Sequence, residues 1–135
     1  MSVFHNWNVP FSTIRFFEDL LESHKKVASF ERTDDILFKV TRTDGLSAVN
    51  VLLINVYTVG LADMFRAKQE FQALDCIVTS SAWNGYTREA KKHAVDSQIG
   101  LFVVREFYGA LWARVPYLYF QKDKDGNPIY PYRAA

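Results

Sequence analysis

Residues Asp75 to Ala94 read DCIVTSSAWNGYTREAKKHA, and this stretch decides the fold. A short apolar run, Cys76-Ile77-Val78, enters three hydroxyl side chains, Thr79-Ser80-Ser81. A Trp-Asn-Gly turn follows, then a charged helix that Thr87 or Asn84 can cap. Such a run is a buried strand covered on both faces, and strand followed directly by helix belongs to a partly parallel sheet. Two roles fit the joint. The hydroxyls and turn amides could cradle a phosphate at the helix start, or they could cap the helix and satisfy backbone groups at a strand end. No Gly-Lys-Ser/Thr is present, so the turn is not a P-loop.

Working outward, AVNVLLINVYTVG (residues 48–60) is nearly continuous in apolar and β-branched residues, which predicts a central strand ended by Gly60. DDILFKVTRTDG before it alternates, with Ile36, Phe38 and Val40 on one face; Asp44-Gly45 then turns the chain into an antiparallel hairpin. VASFERT alternates weakly ahead of that. PFSTIRFFEDLLESHKK predicts the first helix, capped by Ser12 or Thr13, with Ile14, Phe17, Leu20 and Leu21 inward. On the other side, LADMFRAKQEFQAL predicts a helix with Leu61, Met64, Phe65, Phe71 and Leu74 inward. IGLFVV is a second short buried strand, and Phe107, Tyr108, Leu111, Trp112 and Val115 repeat at helical spacing after it. The predicted order is α, three antiparallel strands, α, β, α, β, α. The tail YLYFQKDKDGNPIYPYRAA adds an aromatic hairpin turning at Asp125-Gly126-Asn127.

The chain of 135 residues is long enough to bury one core without staples. Its formal charge of +1 argues against a strongly electrostatic grip on nucleic acid. Cys76 is the single cysteine, which excludes an internal disulfide and, among apolar neighbours, predicts an inert thiol. No stretch approaches the length of a membrane span, and MSVFHNWNVPF lacks the pattern of a signal peptide, so a cytoplasmic protein is expected. His5, His24 and His93 lack metal-ligand spacing.

The order of elements, with CIVTSSAWNGYTREAKKHA, IGLFVV and REFYGALW at their places, resembles the restriction-endonuclease-like fold, its Mrr-type branch in particular. The resemblance runs from about Ser12 to Trp112. It implies a three-layer α/β/α domain with a central mixed sheet over residues 1–114; the C-terminal hairpin appendage over 115–135 lies outside the resemblance. That family hydrolyses phosphodiesters with the PD-(D/E)xK constellation, in which two carboxylates hold Mg²⁺ and a Lys orients the attacking water. Carried over residue by residue, the first acid matches Asp35, or less well Asp34, and the first-helix acid matches Glu18 or Glu22. The acid-x-Lys pair falls on Asn55-Val56-Tyr57, which supplies neither a carboxylate nor an ammonium. Arg66, Lys68 and Asp63 are the nearest relocated substitutes.

Three functional expectations follow. The first is a catalytically degenerate nuclease-fold protein that acts as a DNA-associated binding or scaffolding component and needs no cofactor. The second is an Mg²⁺-dependent nuclease using Asp35 with relocated partners. The third is a homo-oligomeric interaction protein with no nucleic-acid role. For DNA, the candidate contacts are Thr79, Ser80 and Ser81 at the joint, Arg88, Lys91 and Lys92 on the helix beyond it, and Lys68. The tail rings Tyr117, Tyr119, Phe120, Tyr130 and Tyr132 predict a homodimer contact over Val115 to Tyr132.

Overall fold

The fold turns on one strand that water reaches from neither side. In the computed structural model, which describes residues 7–134, the chain forms α1 (Phe11–Ser23), β1 (Val27–Thr33), β2 (Leu37–Arg42), β3 (Val49–Ile54), β4 (Thr58–Val59), α2 (Leu61–Glu70) and β5 (Cys76–Thr79). It continues with β6 (Gly85–Tyr86), α3 (Arg88–Asp96), β7 (Gly100–Val103), α4 (Val104–Ala110), a 3₁₀ turn (Pro116–Leu118), β8 (Gln121–Lys122) and β9 (Pro128–Ile129). Residues 1–6 of the N-terminal stretch, His5 among them, lie outside the described residues.

Strand β3 is the middle of a five-stranded sheet ordered β1-β2-β3-β5-β7. β1, β2 and β3 pair antiparallel, with Leu37 opposite Leu52. β5 and β7 run parallel to β3, with Leu52 beside Ile77 and Ile77 beside Leu101. Every residue of β5 and β7 is buried, as is all of β3 except Asn50, so both faces of the parallel half are covered. Phe17 of α1 stacks on Phe107 of α4 at 5.4 Å and meets Phe38 edge-on at 5.0 Å, which puts both helices on one face. α2 and α3 connect parallel neighbours in one direction and pack together, so they cover the other. The predicted mixed sheet, with the CIVT strand parallel beside a central β3 and helices on both faces, is the observed one. The predicted turn also forms, with Asp44 and Gly45 at φ 59° and 76°. Among the described residues, no helix is long and apolar enough to cross a membrane.

Several local expectations change. Pro10, not Ser12 or Thr13, precedes α1, and no side chain caps that helix. Phe65, expected inward, is half exposed and meets the edge of the His93 ring, because Met64 and Ala67 form the buried stripe of α2. α4 stops at Ala110 instead of reaching Val115. Pro116 forces Val115 out of helical conformation (φ −120°, ψ 90°). The buried Arg42 guanidinium donates to the Leu111 and Ala113 carbonyls (3.0 and 2.7 Å), which the ended helix leaves without partners.

The tail folds back on its own domain. Tyr86 N donates to Pro131 O (3.3 Å) and Arg133 N to Tyr86 O (2.8 Å), extending the small β4–β6 pair by a third segment. Tyr132 meets Tyr86 edge-on at 5.7 Å, and Tyr119 packs on Phe102 and over Gly109. These rings therefore find cover within the chain.

Candidate functional site: the sheet edge and its cleft

The C-terminal ends of β3 and β5 are tied by a knot of polar side chains. Thr79, the last residue of β5, donates to Val56 O (2.8 Å) and accepts from Val56 N (3.1 Å), so its hydroxyl stands in for a missing strand neighbour. Asn55 N donates to Trp7 O, and its Nδ2 donates to Asn8 O at 3.0 Å. Its Oδ1 accepts from Asn84 Nδ2 (2.9 Å) and Ser81 Oγ (3.2 Å), while Asn84 also donates to the Ser80 carbonyl. In the turn that carries Asn84 and Gly85, Ser81 takes the positive φ, at 78°. Gly85 is required for closeness: a Cβ there would lie 2.3 Å from Pro131 O. Thr87 caps α3 as expected, accepting from Ala90 N at 3.0 Å. Two of the three hydroxyls at the joint therefore hold the chain together.

The four residues carried over from the nuclease motif do not meet. Asp35 sits in the β1–β2 turn at φ 63°, exposed, where Arg32 Nη1 donates to its carboxylate at 3.0 Å. Glu18 accepts from the Nε of the same Arg32 at 3.1 Å. Both carboxylates thus share the single positive charge of one guanidinium. Tyr57 is turned outward, accepting from Arg133 Nη1 at 2.7 Å with that guanidinium 4.1 Å over its ring. Asp63 accepts from Gly60 N at 2.9 Å at the start of α2. Among the described residues, no three His, Cys, Asp or Glu side chains converge.

The expected basic face of α3 is not one surface. Lys91 is buried, its Nζ donating to Leu101 O at 2.8 Å beside the Phe102 and Tyr86 rings, and burial lowers its pKa. Lys92 pairs with Asp96 at 2.8 Å, and Arg88 lies 4.3 Å over the Tyr132 ring. Lys68 contacts His93 Nε2 (3.0 Å) and Ser97 Oγ (3.1 Å). No local pattern points to the acid near Lys91: Glu106 is wholly buried, accepting from Tyr86 OH at 2.9 Å and Val103 N at 3.0 Å. Burial raises the Glu106 pKa, and burial with the Glu106 charge raises that of Tyr86. The signal for Lys91 was present, since Thr87, Ala90, Lys91 and Ala94 share one helical face. Cys76 is buried, and burial pushes its pKa up to about 12, as an inert thiol requires.

Beside the knot opens a cleft of about 590 Å³ between α1 and α4, at the C-terminal ends of the parallel strands. Its apolar walls are Phe16, Phe17 and Leu20 of α1, Leu53 of β3, Val103, Val104 and Tyr108. Its polar margin is Ser12 and Thr13 in the first turn of α1, Ser80 and Ser81 beyond β5, and Arg105. Ser80 is only 3% exposed, and its Oγ finds no hydrogen-bond partner among the described residues. Arg105 is exposed and makes no hydrogen bond or ion pair among them. α1 and α4 touch at Phe17–Phe107, and the segment leading into α1 is held to the end of β3 by the Asn55–Asn8 bond. Concave, mostly apolar spaces at strand C-termini are where α/β proteins place small ligands. Comparison with family models, curated proteins and solved structures finds no match for the chain.

Proposed function

We propose that this chain is a binding component without hydrolytic activity, and that its ligand enters the cleft between α1 and α4. One observation carries this reading. The carboxylates and amides of the nuclease-like positions are committed to Arg32, Asn8, Ser81 and Asn84, while the adjoining cleft retains an unpartnered buried hydroxyl and an unpaired cation. A nuclease-like core that has exchanged its acid-x-Lys pair for Asn55 and Tyr57 fits the strand order, with Asp35 at the head of the hairpin that pairs with β3. DNA along α3 would have only Arg88 and Lys92 as outward cations, one stacked on Tyr132 and the other paired with Asp96. A homodimer through Val115–Tyr132 would have to use Leu118 and Ile129, since Tyr119 and Tyr132 pack within the chain.

The test is thermal unfolding with octanamide, a neutral apolar probe, on the native chain and on Ala82→Trp, which plugs the cleft from an exposed position. A ligand at about 100 times its Kd stabilises by roughly 2.7 kcal/mol, so a midpoint rise is expected for the native chain and none for the variant. Equal rises in both would move the site elsewhere. Cleavage of DNA with Mg²⁺ that is lost in Asp35→Asn would overturn the non-catalytic reading.

A further inference from the structure

The cleft is polarised along its length. Ser12 and Thr13 open α1 at the sheet edge, because Asn55, just past β3, holds Asn8 two residues before Pro10. Ser80 and Ser81 follow β5, and Arg105 follows β7; these strands are neighbours, with Thr79 beside Val103. All the polar lining therefore gathers at one end. From Thr13, α1 descends to Leu20, and at 1.5 Å per residue the apolar wall extends on the order of 10 Å. The lining holds one cation and no carboxylate. The amides of the first turn of α1 have no side-chain cap, so they too favour negative charge at that end. Ser80 lines the same cleft, and its Oγ, buried and without a partner among the described residues, is an independent sign of a missing oxygen or nitrogen partner.

From this polarity we infer that the cleft takes a small amphipathic carboxylic acid. Its apolar tail lies between Phe16, Leu20, Leu53 and Tyr108, and its carboxylate faces Arg105, Ser80 and the first turn of α1. The inference rests on the cleft being the ligand site. A guanidinium suits a carboxylate because its planar fork donates two parallel hydrogen bonds, and Ser80 supplies a third donor from the strand end. No acidic side chain lines the cleft, and Glu106, which feels the Arg105 charge, is buried and hydrogen-bonded to Tyr86 and Val103.

The experiment is calorimetric titration of the full chain with octanoate and, separately, octanamide, which shares the tail and lacks the charge. Octanoate is expected to bind at least about tenfold tighter, since a hydrogen bond to a charged group contributes roughly 1.5–3 kcal/mol. Arg105→Gln, at an exposed site that leaves folding intact, should remove that preference and spare octanamide. Ser80→Ala should weaken octanoate several-fold without lowering the unfolding midpoint, because its hydroxyl makes no internal bond. Equal affinities for acid and amide, or a preference that survives Arg105→Gln, would overturn the anion inference and leave the cleft standing. Binding of neither probe would overturn both.

Discussion

Replacing Asn55 by Ala separates a structural role from a functional one. The side chain makes three hydrogen bonds: Nδ2 to Asn8 O at 3.0 Å, and Oδ1 from Asn84 Nδ2 at 2.9 Å and Ser81 Oγ at 3.2 Å. The bond to Asn8 lies toward solvent, so water replaces much of what is lost there, while the bond to Ser81 is part-buried. Asn84 is 4% exposed, and its amide retains the Ser80 carbonyl and Thr79 Oγ1 (3.1 Å) but loses Asn55. Net contributions of about 0.5–1.5 kcal/mol per bond, with the buried one at the upper end, give a loss of roughly 2 kcal/mol. Asn55→Asp keeps the acceptor and sets an anionic oxygen against Asn8 O, so roughly half that loss is expected. Urea unfolding at neutral pH reads both changes as a lower midpoint at constant slope. If Asn55→Ala unfolds at the native midpoint or above it, Asn55 is not held for folding, and the polar knot would have to be a working site.

Three further outcomes follow from other parts of the molecule. Gly85→Ala puts a Cβ 2.3 Å from Pro131 O, a backbone atom that cannot swing aside, so the tail should lift with a loss of roughly 2 kcal/mol. Trypsin should then cut at Lys122 and Lys124 faster; an unchanged digestion rate would show that the tail is not strapped to β6. His24 accepts from Lys26 N at Nδ1 (3.0 Å) and so donates through Nε2 to Tyr108 O (2.9 Å), and burial lowers its pKa. The unfolded chain therefore takes up a proton first, and stability should fall as pH drops below about 6.5, a dependence that His24→Gln should lack. Asp35, already paired with Arg32, should show no micromolar Mg²⁺ or Mn²⁺ binding by calorimetry; binding that vanishes in Asp35→Asn would contradict this.

The sheet was legible because its decisive strands are short, apolar and continuous, a pattern imposed by burial on both faces. VNVLLI and CIVT could not occupy an edge without exposing alternate side chains, and their parallel pairing follows from the helix between them. The ends of elements were less legible. Whether Ser12, Thr13 or Pro10 starts α1 depends on where Trp7 and Asn8 dock, and α4 stops where Pro116 and Arg42 allow. The site was the least legible part. Asp35 sits two residues before β2, yet a turn with positive φ points it at Arg32. Lys91 was assigned to solvent by residue type although its helical phase puts it inside. Glu106 and Tyr86 lie 20 residues apart in the chain, and no local pattern announces that they meet. The cleft is made by α1 and α4, from opposite ends of the sequence, and by a hydroxyl whose lack of a partner can be seen only in three dimensions.

The central claim is that the cleft, and not the Asp35–Asn55–Tyr57 region, receives the ligand. Methyl-detected NMR during titration with octanamide tests it most directly, because Leu20, Leu53, Val103 and Val104 line the cleft and report on it individually. The account predicts saturable shifts at those four residues, while Leu37 and Val40 on β2 stay fixed. Shifts centred on β2 and the turn bearing Asp35, with the cleft methyls unmoved, would contradict it.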